Sequence, residues 1–106
     1  MFTVAFVLHE KFNLDRKAAL DFWRSAHGPI VAKVPGVQRY VQQHAVAAPQ
    51  DPPPFLGVAS LTFADEAAFN AAVGSSEFAA AIADVANFAD MARLPTAFVE
   101  DVVIVG

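Results

Sequence analysis

Three stretches of the sequence carry the apolar patterns of β-strands. Residues 2–9 and 55–63 are short, nearly unbroken runs of apolar and β-branched side chains, and residues 97–105 form a third run that is rich in valine. Runs of this length are typical of strands rather than of helices. Both faces of the first and last runs are apolar, so these strands need cover above and below the sheet that they join.

A fourth strand is predicted over residues 37–48, where the pattern alternates. Alternate side chains of a strand point to the same face, so Tyr40, Gln42 and His44 form a polar ladder on one side of the sheet. Prolines dominate residues 49–54, and proline cannot pair inside a sheet. These residues are predicted to form a stiff connection that overhangs a cavity mouth or a dimer seam.

Between the strands, apolar residues recur at the three- and four-residue spacing of amphipathic helices. Asp15 is predicted to cap the first helix. Gly28-Pro29 should loosen this helix just after His27, and Pro35-Gly36 should end it. The apolar stripe of the first helix comprises Ala19, Phe22, Trp23, Ala26 and Ile30.

The second helical stretch is predicted in two pieces. Asp65 should cap the first piece, which ends at the Gly-Ser-Ser sequence of residues 74–76. Ser75 or Ser76 then caps the second piece. Its inward side chains are predicted to be Phe78, Ile82, Val85 and either Phe88 or Ala89.

The element order β-α-β-β-α-β predicts an α+β protein of the ferredoxin-like type, with two helices on one face of a four-stranded antiparallel sheet. At 106 residues the chain has room for one domain, residues 1–106. Two helices cover only one face of the sheet, while its first and last strands are apolar on both. We therefore expect a homodimer, a dimeric α/β barrel in which two sheets pack face to face and partly enclose a space for a ligand.

The composition argues against several classes of protein. The formal net charge is −4 and the Lys and Arg residues are scattered along the chain, so nucleic-acid binding is not supported. Cysteine is absent, which excludes disulfides and a thiol nucleophile, and the histidines are too widely spaced for a metal-binding motif. No apolar run reaches the roughly 20 residues of a membrane span, and the first residues do not resemble a signal peptide. We expect a cytoplasmic protein.

The chemically richest stretch is Phe-Trp-x-x-x-His-x-Pro at residues 22–29, followed by the Pro35-Gly36 turn and Tyr40. Together with the predicted element order, this combination resembles the EthD family of dimeric α+β barrel proteins over nearly the whole chain. The founding member of that family is associated with ether degradation, and other members are similar to polyketide-pathway cyclases or decarboxylases and to muconolactone-type isomerases. For the isomerases, the resemblance implies a catalytic pair at His27 and Tyr40. Those enzymes also involve a cysteine in the pocket, which this chain lacks.

His27 and Tyr40 are the candidate catalytic residues. An imidazole near a helix end can face a cavity and act as a general acid or base, or it can cap the helix C-terminus. The Tyr40 phenol could donate to a developing oxyanion, or fill the interior with its hydroxyl paired to a neighbour. Glu100 and Asp101 lie on opposite faces of the last predicted strand, so one of them could point inward as a further base.

The candidate ligand-contacting residues are Trp23, Gln42, His44 and Phe6. Gln42 and His44 share the strand face of Tyr40, and Phe6 lies on an apolar face of the first strand. Trp23 also fits a place in the core, because its spacing is that of a buried helix stripe. His44 also fits an edge-strand position that discourages aggregation.

These residues favour an enzyme that needs no cofactor: an isomerase, lyase or cyclase of small-molecule catabolism or biosynthesis that acts on a small apolar carbonyl compound or lactone. His27 would move the proton and Tyr40 would stabilise the enolate or oxyanion. The alternative is a non-catalytic protein that binds a hydrophobic metabolite, or an accessory protein as in ether degradation. In either case the expected partners are a second copy of the chain and a small apolar ligand, without a metal.

Overall fold

The computed structural model describes residues 1–47 and 52–106 of the chain. Four strands form one antiparallel sheet in the order β2-β3-β1-β4, and the helices cover one of its faces. The strands are β1 (Phe2–Leu8), β2 (Arg39–His44), β3 (Gly57–Phe63) and β4 (Thr96–Val99). The helical segments are α1 (Arg16–Phe22), a π-helical turn (Trp23–His27), α2 (Gly28–Val31), α3 (Glu66–Val73) and α4 (Ser76–Val85). The predicted α+β, ferredoxin-like arrangement is confirmed.

Three helices begin at capping residues that the sequence predicts. The carboxylate of Asp15 accepts from the amide of Ala18, and that of Asp65 accepts from the amide of Ala68. The hydroxyl of Ser75 accepts from the amide of Phe78 at the start of α4. Each cap satisfies a backbone donor that has no partner inside the first turn.

The two faces of the sheet differ in the size of their side chains. The strand register places Val4, Leu8 and Phe63 on the face that the helices cover, and all three are buried. The helix-free face carries small or β-branched side chains together with Arg39 and Gln43. Those small or β-branched residues are Thr3, Ala5, Val7, Val41, Val58, Ser60, Thr62, Ala97 and Val99.

The core consists of two clusters of buried residues between the sheet and the helices. One is centred on Trp23 and Phe88, and the other on Val4 and Phe63. Phe6 and Tyr40 pack against both clusters. These two sheet residues therefore lie where the two halves of the core meet.

The strands are shorter than the apolar pattern predicts. The strand predicted over residues 37–48 is limited to Arg39–His44, and the strand predicted over residues 97–105 is limited to Thr96–Val99. The last strand stops because Val99 already pairs with Thr3, so the chain beyond it runs past the start of β1. Residues 102–105 are therefore exposed apolar residues rather than part of the sheet. Residues 48–51, which comprise the last residue of the predicted strand and the first half of the predicted proline-rich connection, lie outside the described residues.

None of the helices in the described part of the chain is long and apolar enough to cross a membrane.

Gly57 lies where the helical layer touches the backbone of the sheet. A Cβ atom at this position would collide with the carbonyl oxygen of Gln43 and would lie 2.6 Å from Cζ3 of Trp23. The Trp23 side chain is completely buried at this contact. A glycine inside a strand often marks a close approach of this kind, and here it lets the indole edge rest on the strand.

Replacing Gly57 with alanine should therefore lower the free energy of unfolding by roughly 1–3 kcal/mol, the usual cost of overpacking. Chemical denaturation of the two proteins measures the difference. Gly74→Ala is the matched control, because the nearest atom to its new Cβ would be the Ala71 carbonyl oxygen at 3.7 Å. Equal stability of the two variants would contradict the contact described at Gly57.

Candidate active site

A π-helical turn carries the first candidate residues. In the segment Trp23–His27 the backbone widens, and the amide of Gly28 donates to the carbonyl oxygen of Trp23, five residues earlier. Pro29 has no amide hydrogen, so the regular bonding pattern cannot continue through it. The sequence predicts a disturbance just after His27, whereas the structure places it before Gly28 and continues the helix to Val31. Single π turns inside helices are frequent at functional sites.

His27 at the end of this turn binds a carboxylate of α4. Its Nδ1 atom lies 2.7 Å from Oδ2 of Asp84. The imidazole is buried, with 5% of His27 exposed, and its ring centroid is 4.9 Å from that of Phe88. Because a carboxylate only accepts, Nδ1 carries the hydrogen and Nε2 is left as the basic nitrogen. The helix does not end at His27, so the interpretation of His27 as a C-terminal cap is wrong.

The environment of His27 favours its neutral form. Burial lowers the pKa of the imidazole below its ordinary value of 6.5, and the hydrogen bond and charge of Asp84 oppose this shift only in part. At neutral pH the ring is therefore an uncharged base. The second carboxylate oxygen of Asp84 accepts from the side-chain amide of Asn87 at 2.9 Å, which holds the acid in place.

His27 lines a partly enclosed cavity of about 50 Å³ between the sheet and the helices. Tyr40, Trp23 and Phe6 line the same cavity. The remaining walls are aliphatic and aromatic side chains of β1, β3, α2 and α4 and of two connecting segments. The polar side-chain groups among the lining residues are thus the imidazole of His27, the phenol of Tyr40 and the indole N–H of Trp23.

A chain of hydrogen bonds along β2 orients the phenol. The side-chain amide nitrogen of Gln42 donates to the carbonyl oxygen of Trp23 at 2.9 Å and to the hydroxyl oxygen of Tyr40 at 2.7 Å. The Trp23 carbonyl can only accept, so the orientation of the Gln42 amide is determined. Its oxygen therefore accepts from Nε2 of His44, at 2.8 Å. Since Gln42 occupies an acceptor position of the phenol, the hydroxyl hydrogen of Tyr40 is available to a ligand.

Tyr40 forms the wall between the cavity and a more open groove. The groove is lined by Tyr40, Gln42 and His44 of β2 and by Arg24, Gly28, Pro29 and Ala32 of the helical layer. Burial raises the pKa of the Tyr40 phenol, so Tyr40 is a proton-bearing donor at neutral pH. Burial, followed by the positive charge of Arg24, lowers the pKa of His44.

The structure brings four of the predicted residues to one cavity and places two beside it. His27, Tyr40, Trp23 and Phe6 line the cavity. Gln42 and His44 lie in the neighbouring groove, and the ring of His44 stacks on Trp23 with centroids 4.6 Å apart.

The sequence analysis did not identify Asp84 as a site residue. The inward-pointing carboxylate that it predicted at Glu100 or Asp101 was wrong. Glu100 and Asp101 are exposed beyond the end of β4, so neither points inward. Asp84 lies three residues after Ala81 and four before Phe88, both buried, and so falls within the inward stripe of α4. The position of Asp84 within an apolar helix stripe could have identified it, because a carboxylate that is buried needs a hydrogen-bonding or charged partner.

No cluster of three or more metal-ligating side chains occurs in the part of the chain that the structure describes.

Comparison with known proteins gives one family match and several structural neighbours. The chain is similar to an EthD family protein from Bacillus halodurans, with a TM-score of 0.78 and 22% identity over 96% of this chain and 100% of the other. It is also similar to HapK from Hahella chejuensis, with a TM-score of 0.66 and 22% identity over 97% of this chain and 94% of the other. A dimeric ferredoxin-like protein of unknown function from Jannaschia sp. gives a TM-score of 0.67 and 12% identity, over 94% of this chain and 98% of the other.

At these identities the structural likeness establishes the fold. None of the curated proteins compared matches the sequence significantly. The sequence model of the EthD domain, however, matches residues 11–92. That match includes the π-helical turn, β2 and α4, which carry His27, Tyr40 and Asp84. The chain therefore belongs to the EthD family.

Proposed function

We propose that this protein is a cofactor-independent enzyme that moves a proton on a small apolar carbonyl compound or lactone, as an isomerase, lyase or cyclase. The observation that supports this is the neutral, Asp84-bound imidazole of His27, which shares an apolar cavity with the phenol of Tyr40. A general base and an oxyanion donor on one apolar cavity are the groups that proton abstraction next to a carbonyl requires.

In the proposed reaction, Nε2 of His27 removes a proton from the carbon next to the carbonyl. The electron pair of the broken C–H bond moves toward the carbonyl oxygen, giving an enolate that accepts from the hydroxyl of Tyr40. Asp84 stabilises the imidazolium that forms, through its bond to Nδ1. In an isomerisation, the imidazolium returns the same proton to another carbon, so atoms and charge balance without a co-reactant.

The alternative is a protein that binds a hydrophobic metabolite without converting it. The apolar lining of the cavity supports this alternative as well as it supports an enzyme. An apolar wall binds a hydrophobic metabolite, and it also excludes water from a reaction. The two functions differ in whether the loss of the His27 base abolishes proton transfer or changes affinity alone.

We also propose that the protein forms a homodimer through the helix-free face of the sheet. The side chains on that face are mostly small or β-branched, which permits a second sheet to approach closely. The apolar residues 102–105 are more than 70% exposed in the single chain. Contiguous exposed apolar residues of this kind are typical of an interface with another chain. Several of the structural neighbours are described as dimeric ferredoxin-like proteins.

His27→Asn should reduce proton transfer by on the order of 10² to 10⁴ fold while leaving the fold intact. Asparagine can still donate to Asp84, but it has no basic nitrogen to replace Nε2. Exchange of the carbonyl-adjacent protons of β,γ-unsaturated cyclic ketones and lactones in heavy water, followed by NMR, measures this step directly.

His9→Asn is the matched control for that experiment, because His9 does not itself line the cavity and its Nδ1 lies 3.0 Å from the carbonyl oxygen of Arg93. We expect it to exchange at the wild-type rate. If His27→Asn binds these compounds normally and wild-type protein exchanges none of them, the binding function is favoured instead.

Acidification should destabilise the protein through His27. The folded-state pKa of His27 lies below its ordinary value of 6.5, so between these two pKa values only the unfolded chain takes up the proton. Stability is therefore lost as the pH falls below about 6.5, with a slope of at most about 1.4 kcal/mol per pH unit.

Urea unfolding of the wild type and of His27→Asn between about pH 5 and pH 8 isolates this contribution as the difference between the two curves. We expect the wild type to lose more stability than the variant toward acid. If the stability difference between the wild type and His27→Asn stays constant with pH, or changes in the opposite direction, His27 is not a buried neutral imidazole.

Val58→Lys should convert the dimer into a monomer, because Val58 lies on the helix-free face of the inner strand β3, paired with Val7 and Gln43. In the dimer, a lysine there would be buried without a partner charge. Light scattering at micromolar concentration gives the mass of each protein. Val73→Lys, at an exposed position on α3, is the matched control and should remain dimeric. A monomeric wild type would refute the proposed assembly.

A further inference from the structure

The indole nitrogen of Trp23 is a buried hydrogen-bond donor without a partner. Trp23 has no exposed surface, and among the described residues its Nε1 is the one buried side-chain polar atom that makes no hydrogen bond. Such atoms are rare because a buried donor that loses its bond to water destabilises the folded state. The buried N–H group therefore requires an explanation.

The packing of the ring determines the direction of this donor. The carbocyclic edge of the indole, at Cζ3 and Cη2, rests on Gly57. Cζ3 is opposite the carbon that bears Nε1 in the indole ring, so the N–H group points away from the strand backbone. The ring also stacks on His44 and Phe88, at centroid distances of 4.6 and 6.3 Å, so it cannot easily turn.

The unpaired N–H lies beside the second donor of the cavity. The indole N–H is directed toward the Tyr40 phenol oxygen and counteracts in part the effect of burial on the phenol pKa, but the contact does not reach hydrogen-bond geometry. The Tyr40 oxygen already accepts from Gln42 and has its own hydrogen to donate. The two side chains that carry these donors thus line the same cavity as His27, which supplies the basic nitrogen.

We propose that Trp23 Nε1–H and the Tyr40 hydroxyl together bind one oxygen atom of the ligand, as a two-donor oxyanion site. This inference rests on the proposed function, which it deepens by assigning Trp23 a polar role and by defining the ligand class. The ligand is a compact, neutral ketone or lactone. A carboxylate is disfavoured, because the described residues that line the cavity include no Lys or Arg to compensate its charge. In the reaction, the two donors stabilise the enolate oxygen that forms when His27 takes the proton.

NMR spectroscopy tests the proposal directly, because the chain has a single tryptophan and hence a single indole N–H signal. Cyclohexanone and methylenecyclohexane are matched probes that differ by a carbonyl oxygen and a CH₂ group. Cyclohexanone should move the indole proton signal downfield, and methylenecyclohexane should not. An unchanged signal at saturating cyclohexanone, the same shift with both probes, or the absence of cyclohexanone binding would overturn the proposal. Cyclohexanecarboxylate should bind more weakly than cyclohexanone.

Replacement of Trp23 by benzothienylalanine, which substitutes sulfur for the N–H group, provides the matched variant. The ring shape is kept and an unpaired donor is removed, so the fold should be unaffected. Affinity for cyclohexanone should fall on the order of tenfold, whereas affinity for methylenecyclohexane should not change. Equal affinity of the variant and the wild type for cyclohexanone would contradict the role of Nε1.

These readouts separate the two proposals. If cyclohexanone shifts the indole signal but His27→Asn leaves proton exchange unchanged, the two-donor site stands and the catalytic function fails. If His27→Asn abolishes exchange while the indole signal does not respond to cyclohexanone, the catalytic function stands and the two-donor site fails.

Discussion

The contact between Trp23 and Gly57 positions the helical layer on the sheet, and the candidate site depends on it. The largest buried side chain of the protein rests on a strand position where no Cβ atom fits. The carbonyl oxygen of Trp23 binds Gln42, its ring stacks on His44, and its side chain lines the cavity. The π-helical turn that begins at Trp23 ends at His27, so the same anchor sets the position of the imidazole. Packing and candidate chemistry thus share one residue.

The electrostatic character of the site follows from how little of it is polar. Burial disfavours any charged form, which keeps the His27 imidazole neutral and the Tyr40 phenol protonated. The Asp84 carboxylate touches the imidazole from α4 and accepts its Nδ1–H, without lining the cavity itself. A charge that develops on His27 would therefore meet a nearby carboxylate, whereas the uncharged ground state faces apolar walls. Asp84 thereby offsets part of the cost of placing a positive charge at this buried position, so protonation of His27 costs less than burial alone would make it.

Local patterns in the sequence were sufficient to predict the strands and helices and the side of the candidate site that β2 forms. Alternation along β2 correctly grouped Tyr40, Gln42 and His44, and the capping residues located the helix starts, because both depend on neighbours in sequence. Asp84 could not be paired with His27 in the same way, since the two residues are 57 positions apart and meet only after α4 packs on the π-helical turn. The length of the last strand was overestimated because the pairing of Val99 with Thr3, and not its own composition, determines where it ends. Tertiary register and packing decided what composition could not.

The direction of the hydrogen bonds along β2 adds a further constraint. Nε2–H of His44 donates to Gln42, Gln42 donates to Tyr40, and Tyr40 retains a hydrogen for the cavity. The chain cannot reverse, because the same Gln42 amide nitrogen also donates to the backbone carbonyl of Trp23, which only accepts. All of these donors are consequently aligned from the open groove toward the cavity, and aligned hydrogen bonds polarise one another. An oxygen bound at Tyr40 therefore experiences a donor whose strength is set partly by residues in the groove, outside the cavity that holds the ligand.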